Sequence, residues 1–354
     1  MNRSLRVVIH GGPHKSGTTS FQTLMASWRD RLLEDGVFYP DSPAGHHTAI
    51  LNTKSPSWEN GALRAAVEAA RAASAHTLLM SAEVVCSIGV AGFRRLAESL
   101  DDCDLAFLFV FRHWSTFLPS RWAQNCKRRD SQPLGAYVDR TLAWDDHVDH
   151  RYDLVLSQCR DGAGAAIVAV SFDRAVDEHG SVIPAMIEAL ALPPSLKDAA
   201  GARAGWANAT SDRDAIELVR LLNGVVADRL DLPQDDLFVG RGEHRQCGTL
   251  FNAAAALRPV PAEQRDALIE FGRETQTELV FDAGWRPPAA DLLDGFADLF
   301  VNAPDGAIFP PRPARKETYW ALEWPEIADH PLFAAPIERA VSMMRRRTPD
   351  TLPV

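Results

Sequence analysis

The sequence predicts a three-layer α/β fold, with a central parallel sheet covered by helices on both faces and a helical extension behind it. Three observations carry that expectation. Short apolar runs alternate with helix-patterned stretches through roughly the first 195 residues. A glycine-rich segment separates the first run from the first helix. Beyond that point helical patterns continue and strong strand signals stop.

Leu5–His10 is short, apolar and β-branched, so it reads as a buried strand. Gly11-Gly12-Pro13 breaks it. From Thr18 to about Leu33, the apolar residues Phe21, Leu24, Met25, Trp28 and Leu32 recur at helical spacing, and Gly36 is a helix stop. Leu63–Ala75 reads as a helix, Thr77–Ser81 as a strand and Ala91–Leu100 as a helix. Leu105–Phe111 is the clearest apolar strand and ends at Arg112. Trp114–Lys127 and Leu134–His147 read as helices, Ala165–Phe172 as a strand and Val182–Leu192 as a helix. Strands alternating with helices imply a parallel sheet buried on both faces. Asp214–Leu230 and Ala262–Phe281 read as amphipathic helices, and prolines at 287–288 and 310–313 mark loops. The chain is taken as a single domain, with an α/β core over 1–195 and a mostly helical extension over 196–354 that helps build a substrate site.

Composition narrows the function. Of 354 residues 46% are hydrophobic and 24% charged, ordinary for a globular chain that needs no disulfides to build a core. The formal net charge of −10 disfavours general nucleic-acid binding but leaves room for a local anion pocket. Cys86, Cys103, Cys126, Cys159 and Cys247 are scattered, odd in number and without CxxC spacing, as expected of reduced thiols rather than disulfides or a zinc site. No His spacing suggests a metal site. No signal-peptide pattern opens the chain and no apolar run is long enough to span a membrane, so a cytoplasmic protein is expected. The oligomeric state is not legible.

The chemistry concentrates in Gly11-Gly12-Pro13-His14-Lys15-Ser16-Gly17-Thr18-Thr19-Ser20. A phosphate at a helix N-terminus needs converging backbone N–H groups, and glycines permit the close approach. Lys15 adds a full charge; Thr18 and Thr19 add hydroxyl donors. In a Walker A loop the lysine follows the last glycine directly. Here Lys15 precedes Gly17 by two residues, which disfavours a kinase or NTPase.

The order Pro13-x-Lys15-Ser16-Gly17-Thr18-Thr19 resembles the 5′-phosphosulfate loop of sulfotransferases that use 3′-phosphoadenosine 5′-phosphosulfate (PAPS). Arg112 at a strand end, with Ser120 eight residues later, resembles that family's 3′-phosphate pair. Ser81-Ala82-Glu83 and Gly36-Val37-Phe38-Tyr39-Pro40 look like segments of bacterial sulfotransferase-like proteins. The resemblance covers roughly residues 5–175 and implies a P-loop NTPase-like fold. It implies sulfuryl transfer from PAPS to a hydroxyl, or an amine, of a small molecule or carbohydrate, leaving 3′-phosphoadenosine 5′-phosphate. Lys15, Ser16, Gly17, Thr18, Thr19, Arg112 and Ser120 are then the cofactor contacts, Lys15 also acting in catalysis. Glu83, His46 and His47 compete as general base, and no metal is needed.

The family's usual Asp/Asn-Pro after the arginine is replaced by His113-Trp114, which leaves the local turn open. Its C-terminal Arg-Lys-Gly motif is missing; Gly240–Arg245 is a substitute at best. The plainer alternatives are a solvated loop for Lys15, an ion pair for Arg112, a surface hydroxyl for Ser120 and a helix cap for Glu83. A kinase or NTPase, or a non-catalytic nucleotide-binding protein of the same fold, are the competing functions.

Overall fold

The computed structural model describes residues 4–13, 15–41, 46, 49–50, 52–128, 130–193, 196, 212–231, 257 and 260–345. Its elements run β1 (Arg6–Gly11), α1 (Thr18–Ser27), α2 (Arg29–Glu34), β2 (Val37–Phe38), α3 (Gly61–Ala72), β3 (Thr77–Ser81), α4 (Gly89–Ser99), β4 (Asp104–Phe111) and α5 (Trp114–Arg128). Then follow α6 (Leu134–Ala143), α7 (Tyr152–Ala163), β5 (Ala166–Ser171), α8 (Phe172–His179), α9 (Ile183–Ala189), α10 (Arg213–Arg229) and α11 (Ala262–Arg273). The chain closes with β6 (Gln276–Phe281), β7 (Arg315–Trp320), α12 (Trp324–Ile327) and α13 (Ala334–Arg345). Among the described residues no helix is long and apolar enough to cross a membrane.

The chain forms two units. The first comprises Met1–Phe117, Trp144–Ala207 and Arg286–Arg312; the second Leu118–Ala143, Asn208–Trp285 and Pro313–Val354. The first holds a five-stranded, wholly parallel sheet of order β2-β3-β1-β4-β5. The chain leaves β1 toward β2 and β3 on one side and later adds β4 and β5 on the other, so the strand order reverses at β1. Open α/β sheets bind ligands at that point, beyond the carboxyl ends of the strands.

Period-two alternation along β4 builds both sides of this sheet. Ala106, Leu108 and Val110 join Phe21, Leu24 and Met25 of α1 and Met186 and Ile187 of α9 in one core. Phe107, Phe109 and Phe111 point the other way and stack in series, with centroids 6.1 and 5.9 Å apart. Phe111 continues the stack onto Tyr152 at 4.7 Å, and Tyr152 onto Trp114 at 5.1 Å. Each offset aromatic pair adds roughly 0.5–1.5 kcal/mol beyond its buried area. The ladder carries rigidity up β4 to its carboxyl end, where Arg112 stands.

The second unit centres on α10, which is buried from Ile216 to Ala227. The expected amphipathic helix is therefore covered all round. Two of its buried polar residues, Glu217 and Arg220, pair with each other. Arg220 donates from Nε to Glu217 at 2.7 Å and from its two Nη groups to the carbonyls of Ser131, Trp320 and Leu322. The Trp320 N–H returns to Glu217 at 3.2 Å.

The strand assignments of this half need correction. The expected helix over Ala262–Phe281 ends at Arg273, and β6 begins at Gln276, pairing antiparallel with β7. Thr277, Leu279 and Phe281 turn inward while Gln276, Glu278 and Val280 face solvent. Six alternating residues directly after a helix are too few to show against its period, and Arg315-Lys316-Glu317 in β7 reads as a charged loop. The expected helix from Thr18 to Leu33 also breaks, at Trp28. Phe172, expected to end a strand, opens α8, whose N-cap Ser171 accepts from the Arg174 N–H.

Candidate functional site

The loop from Gly12 to Gly17 leaves β1 at its carboxyl end and enters α1. Its backbone is unusual at two places: Lys15 has φ +69° and Gly17 φ +90°. The left-handed region is costly for a residue with a side chain, and such outliers gather at ligand sites. Gly17 is required twice over, since an added Cβ would lie 2.6 Å from Val182 Cγ1. Gly12 is as confined, its Cβ position falling 2.8 Å from the Val110 carbonyl. Ser16 braces the turn from within, donating from Oγ to the Pro13 carbonyl at 2.7 Å.

Thr18 opens α1, where the first N–H groups of a helix lack intrahelical partners and the dipole favours an anion. Its hydroxyl is buried, and among the described residues it has no hydrogen-bond partner. A buried hydroxyl left unpaired costs about 1–3 kcal/mol. Thr19 beside it is exposed and Gly17 half-buried.

Arg112 reaches this loop from the end of β4. Its Nη1 donates to the Lys15 carbonyl at 3.4 Å and its Nε to Thr116 Oγ1 at 3.0 Å. Its guanidinium lies 5.0 Å over the Phe172 ring, which in turn packs near Gly17. The turn left open by His113-Trp114 is closed by His113 itself. Its Nδ1 accepts from the Ser115 N–H at 3.3 Å and its carbonyl from the Thr116 N–H at 3.1 Å, so His113 caps α5. Ser120 is half-buried on the part of α5 that belongs to the second unit.

Glu83 opens a 3₁₀ turn over Glu83–Ser87 directly after β3. That turn packs on the loop: Val85 lies against Gly11, and Cys86 accepts a hydrogen bond from the Gly12 backbone. The Glu83 charge is felt at His10 on the neighbouring strand. Burial nonetheless pushes the His10 imidazole down to about 3, leaving it neutral at ordinary pH.

Ser81 gathers three side chains beside this turn. Its Oγ lies 2.8 Å from His10 Nδ1 and accepts from Gln22 Nε2 at 3.2 Å. Its backbone N–H donates to His46 Nδ1 at 3.2 Å. An imidazole that accepts at Nδ1 carries its proton on Nε2 when neutral, so the one lone pair of His46 is committed to the main chain. His46 also stands edge-on to Tyr39, centroids 4.8 Å apart. His47, His14 and Gly240–Arg245 lie outside the described residues.

The first unit thus brings together Lys15, Ser16, Gly17 and Thr18 with Arg112, and sets the Glu83 turn and His46 alongside. Sequence reading missed Gln22, Tyr152, Phe172 and Asp173, and named Ser81 only within Ser81-Ala82-Glu83. Gln22 follows Thr18 by four on one helix, the sole local signal among them. The others arrive from elements distant in sequence. No family model, curated protein or solved structure matches this chain.

Proposed function

We propose that this protein is a sulfotransferase that moves the sulfuryl group of PAPS to a hydroxyl, less readily an amine, of a small molecule or carbohydrate. The supporting observation is the meeting of two anion-binding elements: the loop before α1 and Arg112, joined through the Lys15 carbonyl. The residues present fit such a group: Gly17 stands at the start of α1, whose first N–H groups lack intrahelical partners, and Arg112 reaches the same loop.

PAPS, when bound, supplies a sulfuryl group activated by its attachment to the 5′-phosphate. The backbone N–H groups of Ser16–Thr19 and the Thr18 and Thr19 hydroxyls hold that phosphate. Lys15 offsets the negative charge that builds beside it during transfer. Arg112 holds the 3′-phosphate, its planar fork suited to bidentate contact. Glu83 takes the proton of the acceptor; His46 suits that task less because its lone pair is engaged by Ser81.

Calorimetric titration of the full chain with 3′-phosphoadenosine 5′-phosphate and with ADP tests the reading. Clear preference for the 3′-phosphorylated nucleotide, lost in Arg112→Ala, is the expected result. Equal binding of the two, with ATP turnover, would return the protein to the kinase and NTPase class.

A further inference from the structure

The peptide group between Arg112 and His113 is held from both sides. Tyr152 Oη donates to the Arg112 carbonyl at 3.0 Å. The His113 N–H donates to Asp173 Oδ2 at 2.5 Å. Both gripping side chains are buried, Tyr152 at 0% and Asp173 at 3% exposure. Tyr152 cannot swing away, because its ring is stacked between Phe111 and Trp114. Asp173 cannot either, because its other oxygen accepts from Arg312 Nη2 at 2.8 Å.

Both oxygens of this buried carboxylate are engaged, Oδ2 by the His113 N–H and Oδ1 by the Arg312 guanidinium, so its burial is compensated on both sides. Asp173 is the second residue of α8, and the residue before it, Phe172, supplies the ring beneath the Arg112 guanidinium. One short stretch therefore fixes both the backbone and the side chain of Arg112, and it also packs on Gly17.

We infer that Asp173 is a positioning residue for nucleotide specificity: by anchoring the Arg112–His113 peptide it presets the guanidinium for the second phosphate of the nucleotide. This rests on the sulfotransferase reading above. An arginine held in its binding geometry avoids the ordering cost that a free side chain pays on binding. The gain accrues to ligands that carry the second phosphate and not to those that lack it.

The test is calorimetric titration of the full-length protein with 3′-phosphoadenosine 5′-phosphate and with ADP, for wild type, Asp173→Ala, Asp173→Asn, Arg112→Ala and Asp173→Ala/Arg112→Ala. Asp173→Ala is expected to lower the preference for the 3′-phosphorylated nucleotide roughly tenfold while ADP affinity holds within about twofold. Asp173→Asn should restore most of the preference, since its amide oxygen still accepts from the His113 N–H. The double variant should be no worse than Arg112→Ala, because the two act through one group. Equal weakening of both nucleotides by Asp173→Ala, or a preference untouched by it, overturns the inference while leaving the reading of Arg112 intact. If Asp173→Ala does not fold, Asp173→Asn with wild-type stability but no preference overturns it as well. Wild type that binds both nucleotides equally removes the sulfotransferase reading and this inference together.

Discussion

Arg112 and Lys15, 97 positions apart in the chain, are joined by a single hydrogen bond from the guanidinium Nη1 to the Lys15 carbonyl, at 3.4 Å. The bond uses the main chain of Lys15 and not its ammonium. A strand-end cation is thereby held against the loop that enters α1.

Lys15 is expected to matter more for turnover than for binding. Lys15→Ala should reduce sulfuryl transfer by about 10²–10³-fold, the usual cost of removing one charge-stabilising group. Affinity for 3′-phosphoadenosine 5′-phosphate should fall far less if, as proposed, backbone N–H groups hold the phosphate. Steady-state rates set beside calorimetry decide this; unchanged turnover would remove Lys15 from catalysis.

Gly17→Ala should damage the loop without touching the ligand groups. The φ of +90° disfavours any Cβ by at least about 1 kcal/mol, and contact with Val182 at 2.6 Å adds to it. Thermal denaturation should show a lowered Tm and calorimetry a loss of nucleotide affinity. The paired change Gly17→Ala/Val182→Ala should recover part of the stability and none of the φ penalty.

His10 makes stability depend on pH. Its folded-state value, held at about 3 by burial, lies below the ordinary 6.5. Below pH 6.5 the unfolded chain therefore binds a proton that the folded chain refuses. Stability from this group is full above pH 6.5 and declines as pH falls toward 3. At pH 5 the loss is about 2 kcal/mol relative to neutral pH. Urea denaturation across pH 4.5–7.5 should show a shallower pH dependence of stability for His10→Asn than for wild type; equal dependence would mean that His10 titrates alike in the folded and unfolded chain.

His46 is expected to carry its proton on Nε2, because Ser81 occupies Nδ1. Nitrogen NMR of histidine-labelled protein, assigned by the signal lost in His46→Gln, should show a pyrrole-like Nε2 and a pyridine-like Nδ1. The opposite pattern would restore His46 as a candidate base.

In the second unit, Arg220→Met should cost about 3–5 kcal/mol, since it leaves Glu217 buried without its partner. Burial already pushes the Glu217 carboxyl upward against the pull of Arg220. Replacing both, as Glu217→Leu/Arg220→Met, should recover much of the loss. Denaturant titration of these two variants and of Glu217→Leu measures the coupling; additive losses would show that the two residues do not act as a pair.

What the sequence determined by itself is local. Glycines at 12 and 17 around Lys15, between a β-branched run and a 3.6-periodic stretch, dictate strand, tight loop and helix, because φ preference and side-chain period are properties of neighbouring residues. The alternation Phe107-Leu108-Phe109-Val110-Phe111 likewise dictates a strand buried on both faces. Tertiary structure alone decided the rest. Tyr152 and Asp173 reach the Arg112–His113 peptide, and Ser81 reaches His46, only because parallel strands bring their carboxyl ends to one edge of the sheet. The β6–β7 ribbon exists because its partners, 276–281 and 315–320, find each other across an intervening segment that packs elsewhere. Hydrogen bonds and stacking between distant residues leave no period in the sequence. The strand, loop and helix were therefore legible, while the hydrogen bonds that hold the Arg112–His113 peptide were not.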